Sequence, residues 1–157
     1  MKHRIRVCGI ARSGDRLALI EQHYPDTGHK RWTFPGGGME ITDDDIFRAV
    51  EREMFEETGL RVQAGAVRFI SEHYASVDDA IMLTLWIDCT PLEVEHGPLS
   101  LDNIMRDDNI TDVRWWSPEE ILAAEADRMS RHVQKDTFWQ GLDAPIGLVA
   151  YLGRSNR

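Results

Sequence analysis

A proline followed by three glycines, placed directly before a glutamate-rich segment, constrains this chain more than any other feature. After Pro35 stand Gly36, Gly37 and Gly38. Consecutive glycines lose much backbone entropy on ordering, so they are unfavourable in a helix or in the interior of a sheet. We predict a loop at this point, with a backbone that closely approaches another group.

Residues 43–58 are predicted to form a helix directly after this loop. Residues 42–45 offer polar side chains that cap helix starts, and Gly59 suits the left-handed conformation in which helices commonly end. A helical wheel at about 100° per residue gathers four apolar side chains on one face and so predicts a buried stripe. These are Ile46, Phe47, Val50 and Met54.

The last turns of this helix direct glutamates toward the same stripe. With Ile46 at zero, Glu57 falls at about 20° and Glu53 at about 340°, while Glu56 lies at about 280°. A buried carboxylate without a partner is costly, so a cation is expected beside them. Oxygen ligands without His or Cys favour Mg²⁺ or Mn²⁺ over zinc. The competing interpretation, a solvated acidic face, is weakened by the wheel and by the glycines upstream.

Composition limits the classes to which the chain can belong. The 157 residues carry 18 Lys and Arg against 27 Asp and Glu, a net charge of −9 with His neutral. This length predicts a single domain over residues 1–157, and the negative charge disfavours a nucleic acid polymer as partner. The sequence has neither an apolar run of membrane-spanning length nor a recognisable signal peptide, which predicts a cytoplasmic protein without membrane contact. Cys8 and Cys89 lie in apolar runs and are interpreted as reduced core thiols.

Short apolar runs between turn residues predict a chain that mixes strands with a few helices. Strands are expected at 5–11, 17–21, 67–74, 81–89 and 113–116, with 146–152 as a last strand or docked segment. A helix should begin after Ser117, because Ser117, Pro118 and Glu120 match a capping box with proline at the first helical position. A further helical stretch is predicted near 128–139, and 90–112 is a long connection. This mixture favours an α/β sandwich.

The glycine and glutamate segment resembles a known family motif. Gly38, five residues, Asp44, seven residues and then residues 52–60 (REMFEETGL) resemble the Nudix box, G-x5-E-x7-R-E-U-x-E-E-x-G-U, in which U is a bulky aliphatic residue. Asp44 stands where the family has glutamate. A second alignment takes Gly37 as the box glycine and Asp43 as the acid, which leaves one extra residue before the second half. The box then lies at about residues 37–60.

The resemblance implies an α/β/α sandwich with a mixed central sheet and a metal-dependent enzyme that hydrolyses a diphosphate bond. The implied substrate is a nucleoside diphosphate linked to another moiety, of the nucleoside triphosphate, ADP-ribose or nucleotide sugar type. Mg²⁺ or Mn²⁺ is the implied cofactor, and a homodimer is common in the family. The alternative is a non-catalytic Nudix-like module that binds a nucleotide without cleaving it, which the retained glutamates disfavour.

Residue roles carry over position by position. The family's metal-binding glutamates match Glu53, Glu56 and Glu57, and Arg52 matches the arginine that orients them. These four are therefore the expected catalytic residues. The backbone at Gly36, Gly37 and Gly38 is expected to contact substrate or metal, and Asp44 is a candidate base or extra ligand.

Two assignments stay open on the sequence alone. Lys30, Arg31 and Trp32 precede the glycines, where the two cations are candidates to hold phosphate and the tryptophan to stack on a base. Solvated cations and a core tryptophan are the alternative. The general base is either a box glutamate or an acid of the long connection, for which Asp107 and Asp108 are candidates as base or extra ligand.

Overall fold

A mixed sheet of eight strands forms the centre of the molecule. The computed structural model describes residues 2–75, 79–92, 99–102, 109–145, 147 and 149–156. Of residues 154–156 it describes the backbone alone. The strands are β1 (Lys2–Ser13), β2 (Arg16–Tyr24), β3 (His29–Thr33), β4 (Gly36–Gly38), β5 (Val62–Ala75), β6 (Ala80–Pro91), β7 (Ile110–Trp116) and β8 (Ala150–Asn156). Their main order is β3-β2-β1-β6-β5-β8, with β4 paired to β1 and β7 paired to β2.

The strand directions confirm the mixed α/β fold. β1 runs parallel to β6, and β5 runs parallel to β8. The remaining pairs are antiparallel. β1 is long enough to pair with β6 along its first ten residues and with β2 at its end, so it joins the two parts of the sheet.

Within the described ranges, three helices cover the two faces of the sheet: α1 (Ile46–Thr58), α2 (Pro118–Ala123) and α3 (Asp136–Asp143). Alternate residues of β1 lie on opposite faces of the sheet, as the strand period of two requires. Val7 and Ala11 belong to the buried cluster that contains Val50 and Met54 of α1. Cys8 and Ile10 belong to the other cluster, which includes side chains of α2 and α3. The sheet is therefore enclosed between helices, as expected.

Helix α1 begins later than the sequence predicts. Asp45 is its N-cap, because its side chain accepts hydrogen bonds from the backbone N–H groups of Phe47 and Arg48, and Gly59 ends the helix at φ 75° as expected. The expected burial of Phe47 is wrong: it is 39% exposed. Phe47 stands in the first turn of α1, and the buried residues of the helix begin at Ala49.

The prediction of a loop at the three glycines is wrong. They form β4, which pairs with β1 in the register Val7 opposite Gly37 and Cys8 opposite Gly36. Gly36 has φ 153°, and a Cβ there would lie 2.1 Å from the Val7 carbonyl oxygen. Glycine is therefore required for the close pairing itself, and the entropy it costs is recovered by this approach.

Other elements agree with the sequence or differ for local reasons. The capping box of α2 is present, with Ser117 Oγ accepting from the Glu120 N–H. Residues 29–33, for which the sequence predicts no element, form β3 because they pair with β2. The helix predicted over 128–139 begins only at Asp136. Cys8 and Cys89 are buried free thiols, as expected. None of the helices in the described part of the chain is long and apolar enough to cross a membrane.

Candidate active site

Arg52 connects the acidic groups at the end of α1 with the strand β4. Its Nη1 donates to Glu53 Oε1 at 2.9 Å and to Glu56 Oε2 at 3.3 Å. Its Nη2 donates to the Gly38 carbonyl oxygen at 3.3 Å. The arginine therefore fixes two of the predicted catalytic glutamates relative to the glycine backbone, which is an orienting role.

Asp43, rather than Asp44, is the acid that contacts this arginine. Asp43 accepts from Arg52 Nε at 2.9 Å and from Nη2 at 2.8 Å. Hydrogen bonds from Arg52 hold the pKa of Asp43 below its ordinary value. Asp44 is exposed, so the structure does not bring this candidate ligand to the glutamates. The contact between Asp43 and Arg52 matches the second alignment of the box, in which Asp43 is the acid.

Glu53 is buried against the middle glycine of β4. It is 6% exposed, and a Cβ on Gly37 would lie 2.4 Å from Glu53 Oε1. Burial raises the pKa of Glu53, although the neighbouring Arg52 opposes that change. A carboxylate enclosed in this way is incompletely compensated by the protein, which is the condition under which a cation is favourable.

Glu57 is held by the backbone of the same strand. The Gly36 N–H donates to Glu57 Oε2 at 2.7 Å, and Glu57 is 6% exposed. On the other side of this residue, Arg6 donates to the Gly36 carbonyl oxygen. The peptide groups of Gly36 thus carry a carboxylate on one side and a guanidinium on the other.

The donor set suits a hard divalent cation. Glu53, Glu56 and Glu57 supply only carboxylate oxygens, which Mg²⁺ and Mn²⁺ prefer. Burial disfavours the charged form of Glu53, as its raised pKa indicates, and a neighbouring cation would offset that cost. In the ranges that the structure describes, no three His, Cys, Asp or Glu side chains already converge at ligand distance. Instead, Glu53 and Glu56 contact Arg52.

Two cavities adjoin at this site. The smaller, of about 380 Å³, is lined by the three glycines together with Glu40, Glu53 and Glu57. The larger, of about 570 Å³, lies over the sheet and is bordered by Trp86. Arg6 and Gln22 line both cavities. One extended ligand can therefore contact the glutamates and the larger cavity together.

Only one of the three candidates before the glycines lines a cavity. Arg31 borders the larger cavity. Lys30 instead forms an ion pair with Glu21 at 3.2 Å. Trp32 is buried and packs edge-on against Trp116, which agrees with the alternative interpretation of Trp32 as a core residue. Asp107 and Asp108 lie outside the described residues.

Sequence reasoning missed several residues that line the cavities, listed here by element: Arg4 and Arg6 on β1, Gln22 on β2, and Arg131 and Lys135 before α3. A local signal existed for the first two, since they alternate with Ile5 and Val7 and must share one face of the strand. No local signal existed for the pair before α3, because it reaches the cavity only through the tertiary fold.

The chain is similar to known proteins over most of its length. A family model described as NUDIX domain matches residues 2–136. The chain is similar to a NUDIX hydrolase from Nitrosomonas europaea, with TM-score 0.67, 20% identity, and coverage of 90% of this chain and 87% of that one. It is similar to a MutT protein from Methanosarcina mazei Go1, with TM-score 0.66, 19% identity, and coverage of 89% and 93%.

A third similar structure is an ADP-ribose pyrophosphatase from Streptococcus suis 89-1591, with TM-score 0.62, 16% identity, and coverage of 94% of this chain and 98% of that one. At these identities the structures establish the fold. No curated protein shows significant sequence similarity to the chain. The family model, however, matches most of the sequence. The chain therefore belongs to the NUDIX domain family, a family of pyrophosphohydrolases.

Proposed function

We propose that the protein is a divalent-metal-dependent pyrophosphohydrolase acting on a nucleoside diphosphate linked to another moiety. The observation that carries this proposal is the junction of the two cavities, where buried Glu53 and Glu57 lie beside the cationic Arg6. Carboxylates that attract a metal and a guanidinium that attracts phosphate are the two requirements of diphosphate hydrolysis. The substrate is of the nucleoside triphosphate, ADP-ribose or nucleotide sugar type.

In this proposal Glu53, Glu56 and Glu57 hold Mg²⁺ or Mn²⁺. When bound, the cation neutralises the diphosphate and activates an attacking water. The protein's own groups provide the positioning. Arg52 orients Glu53 and Glu56, the Gly36 N–H orients Glu57, and Arg6 faces the substrate. Preorganised groups of this kind need no rearrangement during reaction.

The proton released by the attacking water must pass to a carboxylate. A box glutamate is one candidate, and Asp107 and Asp108 are the others. D107A and D108A separate these possibilities, because loss of turnover in either variant with unchanged metal dependence assigns the base to that residue. Unchanged turnover in both variants assigns it to the box.

The test of the function is a panel of nucleoside triphosphates, ADP-ribose and nucleotide sugars, assayed with Mg²⁺ or Mn²⁺ for phosphate or nucleotide release. Wild type should turn over at least one compound, and E57Q should lose about 10²-fold or more of kcat. The matched control is E125Q, because Glu125 is an exposed glutamate outside both cavities. Tight binding without turnover of any compound would favour the non-catalytic nucleotide-binding module instead.

A further inference from the structure

The larger cavity is lined by five cationic side chains in a protein whose net charge is −9. These are Arg4, Arg6, Arg31, Arg131 and Lys135. His73 and His132 also border it, and among the described residues that line it there is no Asp or Glu. A concave site lined by one sign of charge focuses the field and concentrates ligands of the opposite charge.

These cations come from separate parts of the chain. Arg4 and Arg6 stand two residues apart on β1, and Arg31 stands on β3. Arg131 and Lys135 belong to the segment between α2 and α3, which lies over the same part of the sheet. A run of basic residues in the sequence is therefore not the cause of the charge, because the fold itself assembles it.

Three of the five cations have no carboxylate partner among the described residues. In the part of the chain that the structure describes, Arg31, Arg131 and Lys135 form no ion pair with a carboxylate, and Arg31 donates only to the Asp127 carbonyl oxygen at 3.3 Å. His132 Nδ1 is buried without a hydrogen-bond partner among the described residues. Burial, with the charges of Lys135 and Arg131, lowers the pKa of His132. The cavity thus presents positive charge to a ligand.

Stacking on the cavity's tryptophan cannot replace this charge as the main source of recognition. Trp86 is 4% exposed, and its ring packs edge-on against Phe34 at 5.1 Å and His132 at 5.3 Å. Its Nε1 donates to Ser71 Oγ at 2.9 Å. Because these contacts occupy the ring, an incoming base meets little of its face.

We propose that the larger cavity binds a distal group of the substrate that carries at least one phosphate in addition to the diphosphate that is cleaved. This inference rests on the proposed function, which places the diphosphate beside Glu53 and Glu57. Since Arg6 and Gln22 line both cavities, the distal group enters the larger cavity while the diphosphate stays at the junction. The additional phosphate is bound by Arg131 and Lys135, which have no carboxylate partner among the described residues.

Matched substrate pairs test this proposal directly. Coenzyme A and dephospho-coenzyme A share one diphosphate and differ by a 3′-phosphate, while NADPH and NADH share one diphosphate and differ by a 2′-phosphate. With Mg²⁺, we expect kcat/KM to be about tenfold or more higher for the phosphorylated member of a pair. Equal or lower kcat/KM for the phosphorylated member of both pairs would overturn the inference.

Two variants connect the preference to the cavity. The double variant R131Q/K135Q should reduce the preference to about twofold or less, since both cations are assigned to the extra phosphate. R16Q removes the same kind of charge from an exposed arginine that pairs with Glu120 outside both cavities. It should keep the full preference, and a loss of preference in R16Q alone would overturn the assignment.

A binding measurement separates this inference from the hydrolase function. Adenosine 3′,5′-bisphosphate and adenosine 5′-monophosphate are titrated calorimetrically without metal. Tighter binding of the bisphosphate that is abolished in R131Q/K135Q supports the cavity assignment, even if none of the four diphosphate compounds of the matched pairs is hydrolysed. In that case it is the hydrolase function that fails. Hydrolysis of all four without preference, with equal binding of the two nucleotides, overturns the inference and leaves the hydrolase function intact.

Discussion

Arg52 binds Asp43 through two parallel hydrogen bonds, Nε to Oδ1 at 2.9 Å and Nη2 to Oδ2 at 2.8 Å. Asp44, the next residue, is exposed. The acid that supports the arginine therefore lies one residue earlier than the spacing from the second half of the box indicates. An extra residue between Asp43 and the start of α1 accounts for this difference.

Exchanging the two aspartates for asparagine should separate their roles. D43N weakens a charge-assisted pair at a nearly buried side chain, so it should lower the free energy of unfolding by about 1–3 kcal/mol. D44N should change it by less than about 0.5 kcal/mol, as is usual for an exposed side chain. Urea denaturation at neutral pH measures both. A larger loss in D44N than in D43N would contradict the assignment.

Alanine at Gly37 should impair activity more than stability. The new Cβ would lie 2.4 Å from Glu53 Oε1, which is the mobile end of a side chain and can move aside. We expect kcat to fall by about 10²-fold, because a shift of about 1 Å in a catalytic group has effects of that size. G38A is the comparison, since its Cβ meets nothing within 4 Å. Steady-state kinetics should show a far smaller loss there, and equal losses would be evidence against Glu53 displacement.

The close approach of α1 to β1 depends on Gly9. A Cβ on Gly9 would lie 2.3 Å from Met54 Sδ, in a fully buried cluster. G9A should therefore lower the free energy of unfolding by about 1–3 kcal/mol through overpacking. G65A is the control, because its Cβ would meet nothing closer than the Asp88 carbonyl oxygen at 3.4 Å. Thermal or urea unfolding checks both, and equal stability of wild type and G9A would show that the helix shifts without cost.

His132 should make stability depend on pH. Burial, and then the charges of Lys135 and Arg131, hold its pKa below the ordinary value of 6.5. On acidification the unfolded chain takes up the proton first, so the stability that His132 contributes is complete above about pH 6.5 and is lost as pH falls toward the folded pKa. The destabilisation caused by H132Q should shrink between pH 7 and pH 5. Denaturation of both proteins across this range measures it, and a destabilisation that grows at low pH would reverse the assignment.

The helix that carries the glutamates could be predicted from the sequence because its signals are local. The wheel placed Glu53 and Glu57 toward the buried face, and both are buried. Gly59 ends the helix, and the capping box of α2 forms. The family followed from one motif and the α/β fold from the mixture of predicted strands and helices, and both are confirmed. Single-domain organisation, cytoplasmic location and a homodimer stay predictions.

The elements that the sequence did not predict depend on long-range pairing. β4 forms because its glycines meet Val7 and Cys8 of β1, about 30 residues earlier in the chain. Arg6 reaches Gly36 across the same distance. Propensity argued against a strand of three glycines, and only the tertiary partner reverses that preference. For the same reason, Lys30 could not be assigned before its ion pair with Glu21 was known.

The length of β1, which spans 12 residues, has a consequence for how substrate choice can diverge. Arg4, Arg6 and Cys8 follow one another at every second position on one face, and Cys8 pairs with Gly36. Two residues of strand span about 6.6 Å, so the backbone of β1 sets the distance between the bond that is cleaved and the group that is recognised in the proposed function. Under the proposed function, changing a side chain on this face of β1 would alter which molecule is accepted, while the proposed catalytic residues within 36–57 stay the same. A motif confined to those residues therefore predicts the type of reaction but not the substrate.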